Sequence, residues 1–89
     1  MQLTELKQGQ SGRIIRLIGP EQSLSNHDVL GRRLMELGFI PGTVITAMHE
    51  APLTHDPRSY TVRGMHVALR SYEANRIDVE PIAPEEHAL

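Results

Sequence analysis

Histidine and aspartate side chains are the residues of this chain with the chemistry to bind a metal ion. The histidines are His27, His49, His55, His66 and His87. None of them forms a helical i, i+4 pair or another recognised ligand spacing. His49 and His55 flank one loop and Asp56 follows His55, so these three side chains are able to approach each other across a hairpin. We keep them as candidate ligands for an adventitious or regulatory Fe²⁺ or Zn²⁺, with solvated loop histidines as the alternative. The pattern requires no cofactor.

The sequence contains no arrangement of residues that predicts catalysis. It has no cysteine, which excludes thiol catalysis, thiolate metal sites and disulfides. The segment Gly9-Gln10-Ser11-Gly12 lacks the Lys-Ser/Thr signature of a phosphate-binding loop and the helix that should follow it. Serine, histidine and aspartate are scattered without a motif. We therefore predict that the protein is not an enzyme.

Charge and hydropathy exclude two further classes. The 89 residues carry a formal net charge of −2, and aromatic residues make up only 3% of them. Both features oppose binding to nucleic acid, which relies on a basic surface and on base stacking. The first residues lack the apolar region of a signal peptide, and no apolar run approaches the roughly 20 residues of a membrane span. We predict a cytoplasmic protein without direct membrane insertion.

Five segments have the composition of short β-strands. They are 13–18, 43–49, 60–63, 66–70 and 76–80. Leu3 and Leu6 flank one helical turn that should rest on the core. Five short strands in a chain of this size favour a small β-barrel, because closure hides the sheet edges. The sequence predicts a mainly β domain over 1–80, with one inserted helix, and a flexible tail over 81–89.

One longer helix is predicted between the first two strands. Ser25 and Asp28 are spaced as a capping box at its start. Leu30, Leu34 and Leu37 recur at helical spacing and should face the core. Gly38 should end the helix in a left-handed cap, with Phe39 making the apolar contact that accompanies such a cap. Arg33 lies on the polar face, where it either contacts an acidic partner or a phosphate, or is simply solvated.

Three apolar residues are predicted at positions where a core residue is not expected. Met35 lies at the margin of the leucine stripe, and Leu53 lies in a loop between two prolines. Met65 lies in a predicted two-residue hairpin turn, Gly64-Met65. Exposed apolar residues that share one surface indicate a protein partner. The alternative for Leu53 is that it folds back to plug the end of the barrel.

Four phrases in order identify a resemblance to a known family. They are LMELGFIPG at 34–42, APLTHDP at 51–57, VRG at 62–64 and VALR at 67–70. Together they closely resemble the FeoA family, the small component of bacterial ferrous iron uptake, over about residues 2–80. The resemblance implies an SH3-like barrel of five short strands with an inserted helix. Thr54-His55 departs from the family pattern, which usually has a single glycine between APL and DP.

The resemblance also implies a partner and a role. It predicts a non-enzymatic cytoplasmic accessory protein that binds the membrane transporter FeoB and supports or regulates it, with the G-protein domain of FeoB as a candidate contact. The candidate partner-binding residues are Arg33, Met35, Leu53 and Met65. Arg33, Arg58 and Arg63 are the candidate arginines for a role in GTP hydrolysis. The alternative is a metal-binding or metal-sensing module related to the SH3-like domain of iron-dependent repressors, and weak self-association stays open.

Overall fold

Five antiparallel strands form one sheet in the computed structural model, which describes residues 1–19, 29–50 and 56–83. The strands are β1 (Ser11–Leu17), β2 (Val44–Glu50), β3 (Arg58–Val62), β4 (Met65–Leu69) and β5 (Ile77–Ile82). The helices are a 3₁₀ turn (Leu3–Glu5), α1 (Val29–Glu36) and α2 (Ser71–Ala74). The strand order across the sheet is β4-β3-β2-β1-β5. The prediction of a mainly β fold with a helix inserted between β1 and β2 is confirmed.

The sheet is a meander of four strands extended by a strand from the end of the chain. β1, β2, β3 and β4 are neighbours in chain order, whereas β5 returns to pair with the side of β1 that faces away from β2. A bulge between Ile14 and Arg16 leaves Ile15 as the extra residue on β1. Such a bulge bends the strand and increases its twist, which helps a short sheet to curve around its core.

The core is aliphatic, with two aromatic rings at its centre. Phe39 and Tyr60 are the largest fully buried side chains, with 0% and 1% relative exposure. Leu34 is buried, and Leu30 and Leu37 pack against the core, as the helical spacing predicted. Leu3 and Leu6 are buried beside the 3₁₀ turn, which confirms their predicted role. The predicted capping box at Ser25 and Asp28 lies outside the described residues.

The turn between β3 and β4 differs by one residue from the prediction. Val62 pairs with Met65, so the two central residues are Arg63 and Gly64 and not Gly64 and Met65. Both central residues have positive φ angles, 51° and 81°. This is the backbone of a type I′ turn, whose twist matches that of the flanking strands. Met65 is therefore the first residue of β4 and not part of the turn.

The last strand is longer than the sequence indicated. β5 does not end at Glu80: Pro81 pairs with Gly12, and Ile82 pairs with Ser11 and is 7% exposed. Pro81 is tolerated because β5 lies at the edge of the sheet, where a missing N–H group need not break a ladder. The prediction that the tail starts at Pro81 is thus wrong for these two residues. Of the remaining tail, 83–89, residues 84–89 lie outside the described residues.

Candidate functional site

The end of α1 has the cap that the sequence predicted. Gly38 has a φ angle of 105°, and its N–H donates to the carbonyl oxygen of Met35 at 3.0 Å. The N–H of Phe39 donates to the carbonyl oxygen of Leu34, also at 3.0 Å. These two bonds define a Schellman motif, in which the two residues after the helix satisfy its last carbonyl groups. The motif turns the chain so that Phe39 enters the core while Met35 stays outside.

The same cap lies against the turn between β3 and β4. A Cβ atom added to Gly38 would lie 2.9 Å from Cδ of Arg63 and 3.8 Å from Cγ2 of Val62. The aliphatic part of the Arg63 side chain therefore lies directly over the glycine. Close approach of this kind is possible only because the residue has no side chain. The end of α1 and the hairpin of β3 and β4 are therefore neighbours at this glycine.

We call this region the cap–hairpin surface and define it by Met35, Ile40, Arg63 and Met65. Its apolar side chains are exposed: Met35 to 55%, Ile40 to 36% and Met65 to 46%. Met65 lies on the same side of β4 as Val67 and Leu69, but at the end of the strand, where the core no longer covers it. Methionine side chains are flexible and polarisable, which suits them to contacts with a protein surface. The exposure predicted for Met35 and Met65 is found.

Arg33 has a contact that the sequence did not suggest. Its Nη1 atom lies 3.0 Å from Oε2 of Glu73 on α2, forming an ion pair between two helices that are far apart in the chain. Glu73 is 5% exposed, and its Oε1 atom accepts a hydrogen bond from the Arg70 N–H at 2.9 Å. The burial of Glu73 depends on the tertiary fold, so the sequence could not indicate this ion pair. It showed only an acidic residue in a short helical turn. Arg33 thus ties α1 to α2.

The other candidate arginines differ in how they are held. Nη1 of Arg58 donates to the backbone carbonyl oxygen of Thr4, which ties β3 to the 3₁₀ turn. Arg63 is exposed, and within the described ranges its guanidinium forms no ion pair. Of the three arginines predicted as candidates, Arg63 is therefore the one whose charge is not engaged by a neighbour in the described structure.

The structure describes two of the three candidate metal ligands, His49 and Asp56. His55 and the apolar candidate Leu53 lie outside the described residues. His49 is exposed, and its Nδ1 atom lies 3.5 Å from Nε2 of Gln8. Oδ1 of Asp56 accepts a hydrogen bond from the Ser71 N–H at 3.0 Å, at the start of α2. Within 1–19, 29–49 and 56–83, no three His, Asp or Glu side chains are grouped so that they could hold a metal ion.

Taken together, the fold and the cap–hairpin surface define a small β domain whose exposed apolar side chains suit contact with another protein. Among the helices of the described segments, none has the length and hydropathy of a membrane span. A family model described as the FeoA domain matches residues 1–81. The chain belongs to the FeoA family, and the resemblance carried by its sequence motifs is confirmed.

Two relatives with known roles or structures support this assignment. The chain is 36% identical over 83 residues to an Fe(2+) transport protein A/Fe(2+) transporter FeoB fusion protein of Porphyromonas gingivalis. That match covers 93% of this chain but only 9% of the fusion protein. This chain is also similar to FeoA of Stenotrophomonas maltophilia, which was crystallised with zinc. The identity is 31% and the TM-score is 0.76, and the match covers 90% of this chain and 89% of that one. The latter is described as an SH3 domain protein, so the predicted SH3-like fold is confirmed.

A more distant likeness connects the chain to a repressor. The structure of a manganese-dependent transcriptional repressor matches with a TM-score of 0.71 and 19% identity, covering 92% of this chain and 41% of the repressor. At this identity the likeness shows a shared fold and no shared role.

Proposed function

We propose that this protein is a non-enzymatic cytoplasmic accessory of bacterial ferrous iron uptake, which binds a FeoB-type transporter and supports or regulates it. The observation that carries the proposal is the fusion protein of P. gingivalis, in which a segment similar to this chain is joined to a FeoB transporter. Joining two proteins in one chain raises their effective concentration at each other's binding sites. A separate chain of the same family needs its own contact surface to reach the transporter.

The cap–hairpin surface is our proposed contact with the transporter. It combines three exposed apolar side chains with an exposed arginine that no described residue neutralises. A central apolar patch with a charged residue at its margin is a common composition of protein–protein interfaces. Leu53, which lies outside the described residues, was predicted as a partner-binding residue and belongs to the same proposal. If the contact is to a G-protein domain, Arg63 is the one of the three candidate arginines whose charge is available, in the described structure, to approach a nucleotide phosphate.

Changing both methionines of this surface to aspartate should weaken binding to a FeoB-type transporter. We expect Met35→Asp combined with Met65→Asp to raise the Kd at least about tenfold, because each change places a charge in an apolar contact. The Kd is measured by titrating the purified transporter with each variant. Val29→Asp is the matched control: Val29 is 73% exposed and lies at the other end of α1, so its change to an acid should leave the Kd unaltered.

Two failures of this experiment have different meanings. If the methionine variant binds as tightly as the wild-type protein, the cap–hairpin surface is not the contact, whereas the accessory role stands. If the wild-type protein does not bind the transporter at all, the accessory role itself is wrong.

A divalent metal is the second candidate ligand, because the S. maltophilia relative was crystallised with zinc. We propose His49, His55 and Asp56 as the ligands, since imidazole and carboxylate groups are common zinc ligands. Titration with Zn²⁺ followed by NMR should shift the ring signals of His49 and His55 at one equivalent of metal. His66→Ala should leave these shifts unchanged, whereas His49→Ala should abolish them. Equal shifts at all histidines would show adventitious binding only.

A further inference from the structure

The two edges of the sheet are not equivalent. At the edge formed by β5, the carbonyl oxygen of Met1 accepts the Val79 N–H at 2.7 Å. The amino group of Met1 donates to the Val79 carbonyl oxygen at 3.0 Å, and Gln2 forms a bridge with Asp78. The N-terminus of the chain therefore occupies the outer side of β5. A protein commonly protects an edge in this way, because unpaired backbone groups attract other strands.

The edge formed by β4 has no such cover from the described residues. The pair Val62 and Met65 flanks a two-residue turn, so it exchanges backbone hydrogen bonds. Bonded and non-bonded pairs alternate in an antiparallel ladder, so Val67 and Leu69 also bond to β3. The N–H and C=O groups of His66 and Ala68 consequently point away from β3. Within the described structure these groups have no hydrogen-bond partner, and both side chains are exposed.

Positive charge flanks this edge. Arg63 precedes β4 and Arg70 follows it; both are exposed, and neither forms an ion pair with a described residue. The segment 63–70, RGMHVALR, contains no acidic residue, although the whole chain has a formal net charge of −2. Glu73, the next acidic residue along the chain, is buried and bonded to Arg33. We call this edge, with Arg63 and Arg70 at its ends, the cationic strip. One described carboxylate lies beside it, because Oδ1 of Asp56 accepts the Ser71 N–H just beyond Arg70.

This charge disfavours a second copy of the chain as the occupant. If β4 paired antiparallel with β4 of another copy about Val67, His66 would face Ala68 of the copy, and Arg70 would face Gly64. Arg70 would then lie at the same end of the pair as Arg63 of the copy, and the same holds at the other end. Like charges brought close together repel, whereas opposite charges attract. An occupant with carboxylates at those positions fits the edge better.

We propose that the β4 edge binds an extended acidic segment of the transporter as a sixth strand. Backbone groups of His66 and Ala68 would supply the ladder hydrogen bonds, and Arg63 and Arg70 would pair with carboxylates of the added strand. This mode of recognition takes its affinity from the main chain and its selectivity from the flanking side chains. Met65, which begins β4, makes this edge continuous with the cap–hairpin surface. The inference rests on the proposed function and specifies how the partner is held.

Hydrogen exchange of single backbone amides tests the inference. In the free protein, the amides of His66 and Ala68 should exchange fast, whereas those of Met65, Val67 and Leu69 should exchange slowly because they bond to β3. The labelled protein is exchanged in D₂O with the purified FeoB-type transporter, released, and read by NMR. In the complex, exchange at His66 and Ala68 should slow at least about tenfold, while Val67 should remain slow.

Two variants and a control complete the test. Ala68→Pro removes an outward N–H group and leaves the ladder to β3 intact, since proline is tolerated on edge strands. Arg70→Glu reverses one flanking charge. Each should raise the Kd for the transporter at least about tenfold, because interfacial hydrogen bonds and charge pairs are lost. Lys7→Glu changes the same amount of charge at another exposed position and should not alter the Kd. An NMR spectrum with native dispersion shows that each variant is folded.

The outcomes separate this inference from the function on which it rests. Slower exchange at His66 and Ala68, together with weaker binding of Ala68→Pro and Arg70→Glu, supports the added strand. A complex in which both amides exchange as in the free protein overturns it and leaves the accessory role standing. Absence of any complex with the wild-type protein overturns the accessory role and this inference together.

Discussion

Replacing Phe39 by alanine is expected to lower the free energy of unfolding by about 3–5 kcal/mol, the range for a fully buried phenylalanine. The ring of Phe39 is 0% exposed and is one of two large aromatic groups in an otherwise aliphatic core. Its removal loses the transfer free energy of the ring and leaves a cavity that the neighbouring residues fill only in part. A small domain has about 5–15 kcal/mol of stability in total, so this single change consumes much of it.

Urea unfolding measured by circular dichroism gives this free energy, and the next residue provides the control. Ile40 is 36% exposed, against 0% for Phe39, so Ile40→Ala removes less buried surface and should cost about 1–2 kcal/mol. The two substitutions change adjacent residues of the same loop, so they separate burial from local backbone effects. Similar losses for both variants would show that Phe39 is not a central core residue in solution.

Gly38→Ala should destabilise the protein by about 1–2 kcal/mol through the backbone alone, because an L-residue at the Gly38 φ angle of 105° is strained. The new Cβ atom would also lie 2.9 Å from Cδ of Arg63, so the exposed arginine side chain has to move, which adds a smaller second cost. The Schellman motif and the position of Arg63 therefore depend on the same missing side chain.

Gly9→Ala separates these two costs. Gly9 also has a positive φ angle, 85°, but a Cβ atom there would meet nothing within 4 Å. Its replacement should show the backbone cost alone, so the difference between the variants measures the contact with Arg63. The double variant Gly38→Ala with Arg63→Ala should recover part of that difference, because the contacting Cδ atom is gone. Equal losses at Gly38 and Gly9, with no recovery in the double variant, would contradict the contact.

The Gly38 contact also couples stability to the proposed function. The glycine positions the Arg63 side chain, and Arg63 belongs to both the cap–hairpin surface and the cationic strip along β4. Moving this side chain to accommodate an alanine would alter the partner surface even in a folded variant. Stability and transporter binding should therefore both be measured for Gly38→Ala.

Features encoded by residues close together in the chain were predictable. The end of α1 depends on Leu34, Gly38 and Phe39, which span six positions, and the observed cap has the predicted geometry. The leucine stripe and the strand compositions are likewise local signals, and they indicated the strands to within a few residues. Exposure of Met35 followed from its position beside the stripe. Motif order also indicated the family, because each short phrase reflects a local turn or strand.

Features that depend on pairing between distant segments were not predictable. The one-residue shift of the β3–β4 turn arose because glycine suits either central position of a two-residue turn, and the pairing of Val62 with Met65 selects one. Ile82 belongs to β5 only because Ser11, far earlier in the chain, pairs with it. The ion pair of Arg33 with Glu73 joins two helices that only the fold brings together.

By itself, the sequence determined the mainly β class, the helix and its cap, the absence of cysteine chemistry and the family. The tertiary structure alone decided which sheet edge the described residues cover and which side chains distant segments leave exposed. The reason is physical: a helix stop or a turn is specified by backbone preferences of a few neighbouring residues, whereas exposure is what remains after distant segments have packed. Met1 bonds to the outer edge of β5, whereas no described residue bonds to the outer edge of β4.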